Sequence, residues 1–133
     1  MIGLDTNVLV RFFAQETSAE GQLAHALLRQ LTPEHPGFVS LVAITELAWV
    51  LARSYHATRR EIQRVVESLL GWPALLIEAH DIVQRAAHRF AKASCDFADC
   101  LIERAGNEFG CSVTLTFDKV AARDQGFVLL SAR

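Results

Sequence analysis

Five acidic residues stand at positions where a carboxylate can do chemistry: Asp5, Glu46, Asp96, Asp99 and Asp118. Asp5 closes the apolar run Ile2-Gly3-Leu4, and Glu46 interrupts Ile44-Thr45-Glu46-Leu47. Asp96 and Asp99 open the apolar stripe Phe97, Ala98, Leu101, Ile102, Ala105 and Phe109, and Asp118 follows Thr116-Phe117. Taken singly, Asp5, Asp96 and Asp118 suit helix N-caps, where Asp is a preferred residue, and Asp99 suits a first-turn charge. Glu46 is different. Ile44, Leu47, Ala48, Trp49, Val50, Leu51 and Ala52 make its helix apolar almost all round, which argues burial. A buried carboxylate needs a partner, which leaves an Arg, a metal or a patch of solvent exposure. Carboxylates converging without basic partners repel one another, and a hard divalent cation relieves that repulsion. All-oxygen ligands with open water positions suit Mg2+ or Mn2+, and such centres act on phosphate esters.

The elements that must position these groups follow from periodicity. Five short apolar runs read as strands: Ile2 to Leu4, Phe38 to Leu41, Leu75 to Ile77, Ser112 to Thr116 and Phe127 to Leu130. Near-continuous apolar runs suit strands covered on both faces. Helical patterns lie between them. Thr17-Ser18-Ala19-Glu20 reads as a capping box before Leu23, Leu27, Leu28 and Leu31. Val42 to Tyr55 is a second helix, and Thr58-Arg59-Arg60-Glu61 is a second capping box before Ile62, Val65, Val66 and Leu69. Ile82 to Ala91 carries an i, i+4 stripe, and the helix that Asp96 opens is stopped by Gly110. A last short helix is expected from Lys119 to Arg123. Strands alternating with helices predict an α/β fold with a parallel sheet and helices on both faces. Ligands then bind at the carboxyl ends of the strands, where the acidic residues fall.

Composition narrows the function classes. The 133 residues suffice for one domain, spanning 1–133, with 51% hydrophobic and 21% charged residues. Thirteen Lys and Arg against 15 Asp and Glu give a net charge of −2, which disfavours nucleic-acid binding through a broad basic field. Setting Asp5, Glu46, Asp99 and Asp118 aside as metal ligands leaves 11 carboxylates and a remainder of +2, so the acidic excess gathers in one pocket. Cys95, Cys100 and Cys111 form no C-x-x-C pair, which argues against zinc and for reduced, mostly buried thiols in a cytosolic protein. The N-terminus lacks a signal-peptide pattern, and the apolar stretch Leu41 to Ala52 is too short to span a bilayer. The mean hydropathy of +0.22 therefore signals a dry core. Phe12, Phe13, Trp49 and Trp72 are expected mostly in that core. The five histidines lie outside the acidic motifs and read as surface or helix-end residues.

The motifs Ile2-Gly3-Leu4-Asp5-Thr6-Asn7-Val8-Leu9-Val10, Ile44-Thr45-Glu46-Leu47, Asp96-Phe97-Ala98-Asp99-Cys100-Leu101-Ile102 and Thr114-Leu115-Thr116-Phe117-Asp118 together resemble a PIN domain, and more narrowly a VapC-type toxin ribonuclease of a bacterial type II toxin–antitoxin pair. The resemblance runs from end to end of the chain. It implies a three-layer α/β/α fold with a five-stranded parallel sheet. It implies an endoribonuclease that uses Mg2+ or Mn2+ and water to hydrolyse RNA, leaving 5′-phosphate and 3′-hydroxyl ends. Asp5, Glu46, Asp99 and Asp118 match the metal-binding acidic quartet, and Asp96 matches an accessory acidic position. Thr6, Asn7 and Thr116 match polar positions that orient the carboxylates. The resemblance also implies a cytoplasmic homodimer and a cognate antitoxin that covers the site and alone carries the operator-DNA contact.

For substrate grip, Arg11, Lys119 and Arg123 flank the acidic motifs, and Arg suits phosphate. Arg59, Arg60 and Arg64 read as a solvated helix face, and Arg85 and Arg89 share a face at i, i+4. The competing readings are a non-catalytic PIN-like interaction domain, a phosphoacceptor receiver domain, and a metallophosphoesterase acting on DNA flaps or nucleotides. A receiver needs a phosphorylatable Asp after the third strand, and Leu75-Leu76-Ile77-Glu78-Ala79-His80 offers none.

Overall fold

In the computed structural model, which describes residues 1–131, short parallel strands alternate with helices. The order is β1 (Ile2–Gly3), α1 (Thr6–Phe13), α2 (Ala19–Gln30), β2 (Gly37–Val39), α3 (Leu41–Ser54), α4 (Arg59–Leu70), β3 (Leu75–Ile77), α5 (His80–Phe90), α6 (Phe97–Glu108), β4 (Thr114–Thr116) and β5 (Phe127–Leu129). The helix expected from Lys119 to Arg123 is a single 3-10 turn at Ala121–Arg123.

The chain divides into two compact units, Met1–His80 and Asp81–Arg133. In the first, β1, β2 and β3 form a three-stranded parallel sheet, with Gly3 opposite Phe38 and Val39 opposite Ile77. Helix α1 packs on α2 and α3, α3 on α4, and α4 on β3. Leu9, Leu28, Val39, Ile44, Leu47, Val66 and Leu69 form the core. In the second unit, β4 and β5 form a two-stranded parallel sheet, with Leu115 opposite Val128, and α6 packs on β4. Its buried residues include Val83, Ala86, Phe90, Phe97, Cys100 and Leu101. Phe90 and Phe97 meet edge to face, with ring centroids 5.6 Å apart.

The five-stranded sheet expected from the sequence is not formed: the ladders are β1-β2-β3 and β4-β5. The hydrogen bonds of each segment are taken up within its own ladder. β1 has two ladder residues, and its edge bonds, Ile2 N–H to Pro36 O and Leu4 N–H to Phe38 O, all run to the β2 segment. The β4 segment bonds through Thr114 N–H to Gly126 O and accepts at Thr116 O from Leu130 N–H, all on the β5 side. The strands are also not covered on both faces. Leu76, Leu115 and Val128 are 49%, 57% and 45% exposed, each at the middle of a three-residue strand, and in β3 the alternation follows the two-residue period of the pleat.

The helix signals divide in an instructive way. At α4, Thr58 and Glu61 make both bonds of the capping box, at 3.1 and 2.9 Å. At α2 the capping box expected at Thr17 is not formed, and the cap lies one residue further on. Ser18 is the cap and accepts from Gly21 N–H at 3.1 Å. A Cβ at Gly21 would collide with the Glu16 carbonyl, so the tight entry of α2 requires glycine there. Gly110 takes φ +96° just beyond α6, the stop that the sequence predicts.

Candidate active site

The first unit positions Asp5, Thr6, Asn7 and Glu46. Continuing the sheet register past the strands places Asp5, Ser40 and Glu78 in one row at the carboxyl edge. Asp5 occupies the N-cap position of α1 with extended backbone, yet its side chain makes no capping bond. Its exposed carboxylate is therefore not used by the helix it precedes. Thr6, 8% exposed, donates from its Oγ1 to Glu46 Oε1 at 3.3 Å, while Asn7 is exposed.

Glu46 itself is exposed, contrary to the burial expected from its apolar neighbours. Helix α3 keeps one open stripe, Val42, Glu46, Trp49 and Arg53, at the i, i+4, i+7, i+11 spacing of a single helix face. Burial on the other faces accounts for Ala43, Ile44, Leu47, Ala48 and Leu51. Trp49 belongs to the open stripe, 53% exposed, with the Arg53 guanidinium 5.0 Å from its ring centre. Phe12, Phe13 and Trp72 are half-buried, so none of the four large aromatics lies in the core. Phe12 instead contacts Phe13, His25 and Trp72 in a surface cluster with centroids 4.5–5.4 Å apart.

The second unit positions Asp96, Asp99, Thr116 and Asp118. Asp96 is a true N-cap, accepting from Asp99 N–H at 2.9 Å, so its structural reading holds. Asp99 is half-buried, and burial first, then the charges of Asp96 and Asp118, push its carboxyl up to about 6. Asp118 N–H donates to Thr116 Oγ1 at 2.9 Å, and Asp118 Oδ1 accepts from Val120 and Ala121 N–H at 2.8 and 3.3 Å. One carboxylate oxygen thus fixes the turn, while the other has no bond to it.

Among the described residues no three His, Cys, Asp or Glu side chains are already grouped as a metal cage. The donor chemistry nonetheless fits a hard cation. Asp99 is held back from ionising by its burial first and then by neighbouring carboxylates, and a divalent ion offsets both penalties.

Of the candidate substrate-gripping residues, Arg11 is already engaged, with Nη1 on Glu16 Oε2 at 2.5 Å and Nε on Glu20 Oε2 at 3.2 Å. Lys119 and Arg123 are exposed beside the Asp118 turn. Cys95 and Cys100 are buried with their sulfurs 3.6 Å apart, Cys111 is exposed, and burial pushes the Cys95 thiol up.

Three carboxylates escaped the sequence reading. Glu78 Oε1 accepts from Leu41 N–H at 2.7 Å and so anchors the start of α3, the helix that carries Glu46. Asp124 accepts from Ser94 and Cys95 N–H, which fixes the loop that leads into Asp96. Glu103, 4% exposed, pairs with Arg89 and Arg104. No local pattern marked Glu103, which lies off the apolar stripe expected for α6 and is buried through its pairing with Arg89 and Arg104.

Comparison with known proteins identifies the family. A VapC ribonuclease of Aquifex aeolicus (strain VF5) is 25% identical over 116 residues, which cover 87% of this chain and 86% of that protein. The PIN domain family matches residues 2–125, a span that contains all five acidic residues and displaces the receiver-domain alternative. Because that match covers nearly the whole chain, from β1 to the loop before β5, the protein belongs to the PIN-domain family.

Proposed function

We propose that this chain is a divalent-metal-dependent endoribonuclease of VapC type, the toxin of a toxin–antitoxin pair. The observation that carries the reading is a half-buried Asp99 carboxyl beside Asp96 and Asp118, in a PIN-domain chain similar to a protein named as a ribonuclease. Asp5, Glu46, Asp99 and Asp118 are the proposed ligands of Mg2+ or Mn2+, assigned from the four sequence motifs. When bound, the cation supplies positive charge for the developing phosphate oxyanion and lowers the pKa of water.

The chain's own groups hold the carboxylates for that task. The Thr6 hydroxyl orients Glu46. Asp96 fixes the first turn of α6, and with it the backbone of Asp99. Thr116 and the backbone N–H groups of Val120 and Ala121 set the Asp118 carboxylate. Asn7 is an accessory polar group of the same motif as Asp5. Lys119 and Arg123 hold substrate phosphate.

The same reading takes residues 1–133 as one PIN-like domain made of two units, acting in the cytoplasm as a homodimer. Its partners are RNA and an antitoxin through which alone operator DNA is reached. No helix among the described residues is long and apolar enough to cross a membrane.

The test is cleavage of a structured RNA by the purified protein with Mn2+ and with EDTA. Cleavage into 5′-phosphate fragments only with metal is expected. Equal cleavage in EDTA overturns the reading.

A further inference from the structure

The second unit contains an open groove of about 900 Å3 whose wall is cationic. Arg85, His88, Arg89 and Lys92 line it from α5 and the turn just beyond, and Arg104 lines it from α6. Arg85, His88 and Arg89, spaced i, i+3 and i+4, share one face of α5, and Lys92 follows in the turn beyond it. Arg85 and Arg89, four residues apart, are separated by about 6 Å along the helix axis.

Part of this wall has a structural role. Basic residues in the last turn of α5 complement the helix dipole. Glu103, 4% exposed, accepts one bond from Arg89 and two from Arg104. Each guanidinium carries five N–H donors, so the carboxylate fixes both planes without exhausting either. That structural role does not extend to His88 and Lys92, which are exposed. Arg85 lies at the groove with its side chain 54% exposed and one carboxylate partner, Glu108, at 2.7 Å. Asp81 and Asp124 also line the wall, and Asp124 is turned to the N–H groups of Ser94 and Cys95.

We propose that this groove binds the backbone of single-stranded RNA, with Arg85 and Lys92 contacting phosphates and the Arg89 and Arg104 planes presenting oriented donors and stacking surface. It is a second contact zone, separate in sequence from the Asp5, Glu46, Asp99 and Asp118 motifs, and it rests on the ribonuclease reading for the identity of its ligand. RNA fits better than an acidic peptide because guanidinium and imidazole planes stack on unpaired bases, which a peptide carboxylate does not offer, whereas bidentate guanidinium forks serve either anion. The groove also resolves the low net charge of −2: grip comes from one cationic wall and not from an overall basic surface.

The experiment measures binding of a short fluorescein-labelled single-stranded RNA of mixed sequence in EDTA, across a salt series. Arg85→Ala/Lys92→Ala removes two exposed cations from the groove. Arg60→Ala/Arg64→Ala removes two exposed cations from α4 and controls for net charge. The groove variant is expected to bind at least about tenfold more weakly and to lower the slope of log affinity against log salt by about 1.4, two contacts at roughly 0.7 each. The control is expected to keep the parent slope. Equal loss in both variants, or no loss in the groove variant, overturns the proposal. So does displacement of the RNA by a polyglutamate peptide at equal charge concentration, which would assign the groove to a protein partner. Cleavage of the same RNA by the parent with Mn2+ tests the ribonuclease reading separately, so the two failures are distinguishable.

Discussion

The Thr6 hydroxyl, buried at the start of α1, donates to the Glu46 carboxylate on the open stripe of α3 across 40 residues of sequence. Thr6→Val keeps the side-chain shape and removes the donor. Loss of this hydrogen bond is expected to destabilise the fold by about 1 kcal/mol or less. Freeing Glu46 to rotate is expected to lower Mn2+-dependent cleavage by roughly tenfold to a hundredfold. Denaturant unfolding and initial cleavage rates read the two effects; full activity with the Val side chain would remove Thr6 from the site.

Metal should stabilise the native chain by mass action. At about a hundred times its dissociation constant, Mn2+ is expected to add about 2.7 kcal/mol, a shift of several degrees in Tm. Asp99→Asn relieves the repulsion from Asp96 and Asp118 and removes a proposed ligand, so it should abolish that shift. A metal-dependent rise of equal size in the variant would place the binding elsewhere.

Glu103 sets a pH dependence of stability. Its burial opposes ionisation, but Arg104 and Arg89 outweigh burial and hold its carboxyl below the ordinary value of 4.5. The native state therefore binds fewer protons at this site than the unfolded chain. Its stabilisation is complete above about pH 4.5 and is lost as pH falls through the lowered native value. Glu103→Gln is expected to cost about 3–5 kcal/mol near neutral pH, the usual penalty for breaking a buried pair. The gap between parent and variant should narrow in acid, as followed by urea unfolding at a series of pH values. A gap independent of pH would show that the pair does not titrate with folding.

Gly126, at φ +94°, stands against the same Glu103 side chain, which a Cβ would strike. Gly126→Ala is expected to lower stability by roughly 1–3 kcal/mol, from left-handed backbone strain and displacement of the ion pair. A neutral Ala variant would show that the loop before β5 can retreat without disturbing Arg89 and Arg104.

What the sequence displayed and what it hid divide along physical lines. Helices with local signals were legible: the Thr58 and Glu61 box and the Gly110 stop are contacts within a few residues. The one-residue displacement of the α2 cap depends on the approach of Gly21 to the Glu16 carbonyl, which no local pattern announces. Strand positions were legible from apolar runs, but strand partners were not, because pairing β1 with β2 joins residues 35 positions apart. Glu46 misled because a helix apolar on most faces can still leave one stripe open. The acidic motifs were visible because their spacing is local. Glu78 and Asp124 were not, because each caps a backbone segment about 30 or more residues away.

The central claim is that the acidic quartet hydrolyses RNA with metal, and Asp5 tests it most directly. Its exposed carboxylate makes no capping bond to α1, so Asp5→Asn alters charge and ligand strength with little effect on folding. The measurement is Mn2+-dependent cleavage of one structured RNA by the parent and by Asp5→Asn, with thermal unfolding of both in EDTA. The account predicts superimposable unfolding and cleavage reduced to background in the Asn variant. Cleavage at the parent rate by a folded Asp5→Asn protein would contradict it.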